Sequence, residues 1–273
     1  MKKVVSIQDV SCVGKCSQTV ALPIISSMGI ETAILPTSIL STHTAFKEFT
    51  FKKLTEELYK IKEHWKRAKF QFDLIYIGYT GSEEILDFVL EFISEFKTKS
   101  NIIIFDPAMA DNGEMYQGIS KNIFAKIKEV AKKTDIIRLN RTEATFLLEK
   151  PYKEQLNLEE GQKLVKELQK LNKKQVVMTG IEKDNKIGAL GYDGNAYYNN
   201  FEIKYPKNYH GTGDIFTSTL AGSLVKGKKL EEAIKISTKF TTECVRITYE
   251  DKDSEEYGVN FEQAIPYLLK LIL

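Results

Sequence analysis

The chain has 273 residues, 39 basic and 37 acidic, for a formal net charge of +2 at pH 7. With 42% hydrophobic and 28% charged residues it has the composition of a soluble globular protein with a sizeable core, which excludes disordered, collagen-like and coiled-coil chains. The balance of charge also excludes a nucleic-acid binder that works through a broad basic surface. Within the basic set, 35 residues are Lys and four are Arg: Arg67, Arg138, Arg141 and Arg246.

Met1-Lys2-Lys3-Val4 is basic, but the apolar stretch after it stops at Gln8-Asp9, too short for a signal peptide. No run approaches the roughly 20 apolar residues of a membrane helix. Cys12 and Cys16 have a C-x3-C spacing with no second Cys/His pair to complete a zinc site, and His43, His64 and His210 do not supply one. Reduced cysteines, Cys244 included, in a cytoplasmic protein are the expectation.

In chain order, Val4–Ile7 reads as a strand, residues 17–28 as a helix closed by Gly29, and Thr32–Leu35 as a strand. Residues 53–69 form an amphipathic helical pattern, Leu74–Ile77 a strand ending at Gly78, and 83–97 a helix. Ile102–Phe105 is an apolar strand ending in Asp106-Pro107, followed by a helical pattern over 119–132 and a strand starting at Ile136-Ile137. Helical patterns over 142–149 and 158–171 precede the strand 175–179. Two β-like runs in 188–201 meet at Asp193-Gly194, a good hairpin turn, and helices over 213–225, 230–245 and 261–271 complete the chain. Strands alternating with helices predict a mostly parallel sheet with helices on both faces. The apolar strands fit burial on both sides. With no linker and no internal repeat, residues 1–273 are expected to form a single domain.

In open α/β sheets, ligands bind beyond the carboxyl ends of the strands. Asp9, Gly78-Tyr79-Thr80-Gly81, Asp106-Pro107 and Asn140-x-x-Glu143 all stand at such ends, and Gly211-Thr212-Gly213-Asp214 precedes a helix. The two glycines let the backbone approach a ligand, and the N–H groups and dipole of the helix start suit an anion. Asp214 then has two readings: an N-cap, or a general base for a hydroxyl that attacks phosphorus while the loop holds the charge on the transferring group. Asp106, Asn140 and Glu143 supply hard oxygen donors of the kind Mg²⁺ prefers, with Asn140 and Glu143 on one face if the segment is helical.

Val13-Gly14-Lys15-Cys16 fails as a P-loop, which wants Gly at position 9 and Ser or Thr at 16. The dinucleotide fingerprint G-x-G-x-x-G is absent after the first strand. Trp65, Phe70 and Phe72 fit a core helix and its exit.

Ser6-Ile7-Gln8, Ser41-Thr42-His43-Thr44, Gly78-Tyr79-Thr80-Gly81, Asp106-Pro107, Asn140-Arg141-Thr142-Glu143 and Gly211-Thr212-Gly213-Asp214 stand in the order found in the pyridoxal kinases. Over nearly its whole length the chain resembles that family of the ribokinase-like superfamily, and its Asp9-Val10-Ser11 looks most like the bacterial pyridoxamine/pyridoxal kinase branch. The resemblance implies a three-layer ribokinase-like α/β fold with a small β-hairpin, and ATP-dependent phosphorylation of the 5′-hydroxymethyl group of a vitamin B6 vitamer. It makes Asp214 the base and Gly211, Thr212 and Gly213 the anion hole. Asp106, Asn140 and Glu143 would manage Mg²⁺ and the ATP phosphates, with Asp106 and Glu143 as metal residues. Asp111, Tyr116 and Thr179 fall on the nucleotide side. Asp9 and Thr44 would bond polar atoms of the pyridine ring, with His43 and Tyr79 packed around it. K⁺ as a second cation and a homodimer are further family expectations, with no nucleic-acid or membrane partner. Many pyridoxal kinases have Ser where Asp9 stands; an acidic group there would suit pyridoxamine. Position 110 is Ala, where some relatives place Cys. Alternatives are hydroxymethylpyrimidine kinase, whose members commonly carry Cys where Asp214 stands, a non-catalytic B6-binding homologue, and a sugar kinase, whose early lid and Gly-rich substrate loop are missing.

Overall fold

In the computed structural model, which describes residues 1–116, 119, 122–255 and 257–273, the chain runs β1 (Lys3–Val13), α1 (Gln18–Ser27), β2 (Glu31–Thr42), β3 (Phe51–Lys53), α2 (Thr55–Arg67), β4 (Leu74–Ile77), α3 (Glu83–Phe96), β5 (Ile102–Phe105), β6 (Ala110–Asp111), β7 (Glu114–Met115) and α4 (Ile123–Ala131). It continues through β8 (Ile136–Leu139), α5 (Arg141–Leu147), α6 (Leu158–Asn172), β9 (Gln175–Lys183), β10 (Lys186–Tyr192), β11 (Tyr197–Ile203), α7 (Thr212–Val225), α8 (Leu230–Glu250) and α9 (Phe261–Ile272). Part of the expected helix over 119–132 lies outside the described residues; the described helix starts at Ile123.

Among the described residues nine strands form one sheet in the order β11-β10-β9-β8-β5-β4-β1-β2-β3. All pairings from β2 across to β9 are parallel, while β10, β11 and β3 are antiparallel additions at the edges. The hairpin β10–β11 turns at Asp193-Gly194 as expected, with the Asp193 carboxylate accepting from the N–H groups of Asn195 and Ala196. Alternation along each strand sends side chains to two cores. Val5, Ile7, Ile75, Ile77, Ile103, Phe105, Ile137 and Leu139 face a layer containing α2, α3, α4 and α6. Val4, Leu74, Tyr76, Ile104 and Ile136 face α1, α7, α8 and α9. Helices thus cover both faces of a mostly parallel sheet, the three-layer α/β arrangement expected from the sequence.

Two differences from the sequence reading matter for the site. The first strand does not stop at Ile7: β1 runs on to Val13 beside β2, with a register irregularity between Gln8 and Val10, while its other neighbour β4 ends at Ile77. Asp9 therefore sits inside a strand that outruns the sheet edge, not at a strand end. Secondly, β3 and the small β6–β7 ladder occupy stretches with no alternating pattern to announce them.

Candidate active site

Beyond the carboxyl ends of β5 and β8, and beside Thr179-Gly180 within β9, which runs on to Lys183 instead of ending at Thr179, lies a cavity of about 280 Å³, and all four residues of Gly211–Asp214 line it. Gly211 is the N-cap of α7 in the left-handed region, φ 80°. A Cβ there would lie 1.9 Å from the Lys15 carbonyl oxygen, so close chain approach and backbone conformation both require glycine. Asp214 is the third residue of α7, and the cap reading for it fails: its Oδ2 accepts instead from the backbone N–H of Ser17, at 2.9 Å, on another element. Burial, more than any other influence, raises its pKa to about 7; Asp106 and Asp9 add repulsion, while the Ser17 N–H and Arg138 oppose the rise.

Asp106, Asp111, Tyr116, Asn140, Glu143 and Thr179 all line the same cavity. Asn140 and Glu143 do not share a helical face, because Asn140 is the N-cap of α5 and Glu143 its N3 residue. They form a reciprocal capping box, with Glu143 N–H donating to Asn140 Oδ1 at 2.9 Å and Asn140 N–H to Glu143 Oε2 at 2.8 Å. Glu143 Oε1 accepts from Met109 N–H at 2.9 Å, and Asn140 Nδ2 donates to Ala110 O at 2.7 Å, so the pair also pins the β5–β6 loop. Glu143 is fully buried, not a solvated first-turn carboxylate, and burial, then the charge of Asp106, raises its pKa. Asp106 is buried too: it accepts from Thr217 Oγ1 at 2.6 Å and pairs with Arg138 Nη1 at 3.2 Å. Burial also pushes up the Tyr116 hydroxyl, followed by the charge of Glu143.

The residues assigned to the acceptor, Asp9, His43, Thr44 and Tyr79, do not line this cavity. The Tyr79 phenol is raised by burial and by the charge of Asp9. His43 is buried, its Nε2 2.7 Å from the Tyr257 carbonyl oxygen, and its ring lies 5.2 Å from that of His210, which does line the cavity next to Gly211. Thr44 follows it in a turn, half-buried.

Ser17, missing from the sequence reading, links Asp214 to Asp9. Its N–H holds Asp214, and its hydroxyl donates to Asp9 Oδ1 at 2.5 Å; Ser11 Oγ donates to Asp9 Oδ2 at 2.9 Å. Both Asp9 oxygens are thus engaged within the protein, and burial raises its pKa. A serine just before a helix reads as an N-cap, yet this one makes no capping bond and sits at φ 51°, ψ −130°, a region glycine favours. Removing the hydroxyl leaves Asp9 short of a donor, at a cost of about 1–3 kcal/mol. S17G relieves the backbone while S17A does not, so denaturant melts should rank stability as wild type above S17G above S17A. S17A as stable as wild type would show that the Asp9 bond carries no weight.

Comparison with known proteins gives the family. An Aquifex aeolicus hydroxymethylpyrimidine/phosphomethylpyrimidine kinase is 27% identical over 209 residues, 74% of this chain and 76% of its own. Among solved structures, a Bacteroides thetaiotaomicron VPI-5482 protein described as a phosphomethylpyrimidine kinase, in a crystal form with pyridoxal, is 34% identical with a TM-score of 0.92, covering 98% of this chain and 95% of the other. Pyridoxal kinase from Lactobacillus plantarum is 27% identical, TM-score 0.91, over 99% and 98% of the two chains. The phosphomethylpyrimidine kinase family itself matches residues 25–258. By that match, which takes in every cavity residue from Asp106 to Asp214, the chain belongs to the phosphomethylpyrimidine kinase family, ribokinase-like phosphotransferases with an alcohol group as acceptor.

Proposed function

We propose that this kinase transfers the γ-phosphoryl group of ATP to the 5′-hydroxymethyl group of a vitamin B6 vitamer, with Asp214 as general base. The observation that carries the reading is the placement of Asp214. Its carboxylate lines the cavity in the first turn of α7, directly after the Gly211–Gly213 turn, and is joined through Ser17 to Asp9, with its pKa raised to about 7. A base of that strength is deprotonated at slightly alkaline pH yet still basic enough to take a hydroxyl proton. The pyridoxal in the Bacteroides relative supports a B6 acceptor.

The residues here fit Mg²⁺, which keeps several waters and uses one or two carboxylates plus substrate phosphates. Among the described residues no three metal-binding side chains form a closed cage, whereas Asp106 and Glu143 are buried neighbours whose mutual repulsion a divalent cation relieves. They would hold it, largely through water, and it would neutralise charge on the phosphates. The chain's own part is then positioning. Gly211–Gly213 present backbone N–H groups to the transferring phosphoryl, and the Ser17 N–H fixes the face of Asp214 turned to the incoming hydroxyl.

The second reading, hydroxymethylpyrimidine phosphorylation, has the family match and the Aquifex relative behind it. Both acceptors are heteroaromatic primary alcohols, so one assay separates them. Purified protein with ATP and Mg²⁺ is given pyridoxal, pyridoxamine, pyridoxine or hydroxymethylpyrimidine, and ADP release is followed. Turnover with at least one vitamer is expected, while turnover with the pyrimidine alone replaces the first reading with the second.

A further inference from the structure

Arg138 stands on β8 two residues after Ile136, so the strand's alternation turns it to the α7 face of the sheet. Its side chain is 7% exposed and lines the cavity. The guanidinium lies against the glycine turn: a Cβ on Gly213 would be 3.0 Å from Nη1 and 3.2 Å from Nη2. Its carbon is 5.9 Å from the centre of the Phe216 ring.

A purely structural Arg–carboxylate pair of this depth is expected to be a two-nitrogen fork with every donor satisfied. Here one nitrogen, Nη1, straddles both Asp106 oxygens at 3.2 and 3.3 Å, while Nη2 donates to Thr179 Oγ1 at 2.8 Å. Nε is buried with no hydrogen-bond partner among the described residues. Asp106 meanwhile makes its shorter bond to Thr217, at 2.6 Å. The pair is long and incomplete, and its cation is aimed at the start of α7. The charge balance points the same way: Asp106, Glu143 and Asp214 all act on Arg138, and a polyphosphate entering beside three carboxylates needs a fixed cation.

We propose that Arg138 is a nucleotide-phosphate contact, turning from Asp106 to a phosphate oxygen bound over Gly211–Gly213. This leaves the Asp106 carboxylate free to face the divalent cation. The proposal rests on the placement of the phosphates given above, but not on the identity of the acceptor alcohol.

The test is equilibrium binding of ATP in EDTA, without acceptor, to the wild type, R138K and R138Q, with thermal melts as a folding control. R138Q is expected to bind metal-free ATP at least tenfold more weakly. R138K, which keeps the charge but not the planar fork, should lose about threefold. Folded R138Q with wild-type affinity overturns the proposal. Should R138Q not fold, R138K decides, and unchanged binding there overturns it equally. A wild type that binds ATP through Arg138 but phosphorylates no vitamer sinks the B6 reading and leaves this one standing.

Discussion

D214N should lower kcat by roughly 10²- to 10⁴-fold while leaving the protein folded, the span for loss of a general base. The same substitution should also change stability with a particular pH dependence. Burial raises the Asp214 pKa from 3.8 to about 7, so the folded state holds this proton more tightly than the unfolded chain does. The stability it contributes is complete below pH 4 and is lost as pH rises through 7. Asn carries no charge, so D214N and wild type should melt alike near pH 4, with D214N gaining steadily up to pH 8. The full shift corresponds to about 4 kcal/mol, and because the carboxyl partly faces cavity water about 2 kcal/mol is the expected gain. Asn can still accept the Ser17 N–H, so the comparison isolates the charge. In the wild type, kcat should climb with an acidic limb near pH 7. A D214N enzyme of near-normal kcat, or a melting difference that does not move with pH, would remove Asp214 from the base role.

Much of this site follows from sequence, and the exceptions share one cause. The strands Leu74–Ile77 and Ile102–Phe105 are buried on both faces, so hydrophobicity alone marks both their ends, and the structure has them at those residues. The second half of β1, Asp9-Val10-Ser11-Cys12-Val13, is polar at alternate positions and is held as a strand only by β2. Pairing between segments is invisible to local pattern. Ser17 was missed for the related reason that its local signal, a helix N-cap, is stronger than the long-range bonds it makes. Arg138 is the opposite case. In the sequence it flanks Asn140, as Arg141 does, beside the proposed phosphate-handling motif, and period-two alternation from Ile136 turns position 138 to the α7 face. The four arginines of a lysine-rich chain are not alike either. Arg246 pairs with Glu243 and Glu250 along α8, and Arg141 lines the cavity with Glu182 as partner, while Arg138 is buried against the glycine turn.

That buried cation makes D106N the second large effect, this time on stability. Asp106 is 2% exposed, and it is the carboxylate paired with Arg138, with Thr217 donating to Oδ2, the oxygen nearer the guanidinium. Replacing it by the isosteric amide keeps the shape and leaves an acceptor oxygen for Thr217, but removes the charge. A buried ion pair broken on one side leaves the other ion uncompensated, typically at about 3–5 kcal/mol. For a chain of this length that lowers Tm by roughly 10 °C. Removing the cation as well relieves the penalty, since buried pairs replaced on both sides are often neutral. The double variant D106N/R138M should therefore be more stable than D106N, a coupling measurable as a double-mutant cycle in urea. Activity should not follow stability: the double variant lacks both the carboxylate proposed to face the metal and the cation proposed to face the phosphate, and it should turn over more slowly than D106N even while melting at a higher temperature. If D106N instead melts within 1 kcal/mol of wild type, Arg138 is already satisfied without Asp106, and the pair is not what holds the guanidinium under the glycine turn.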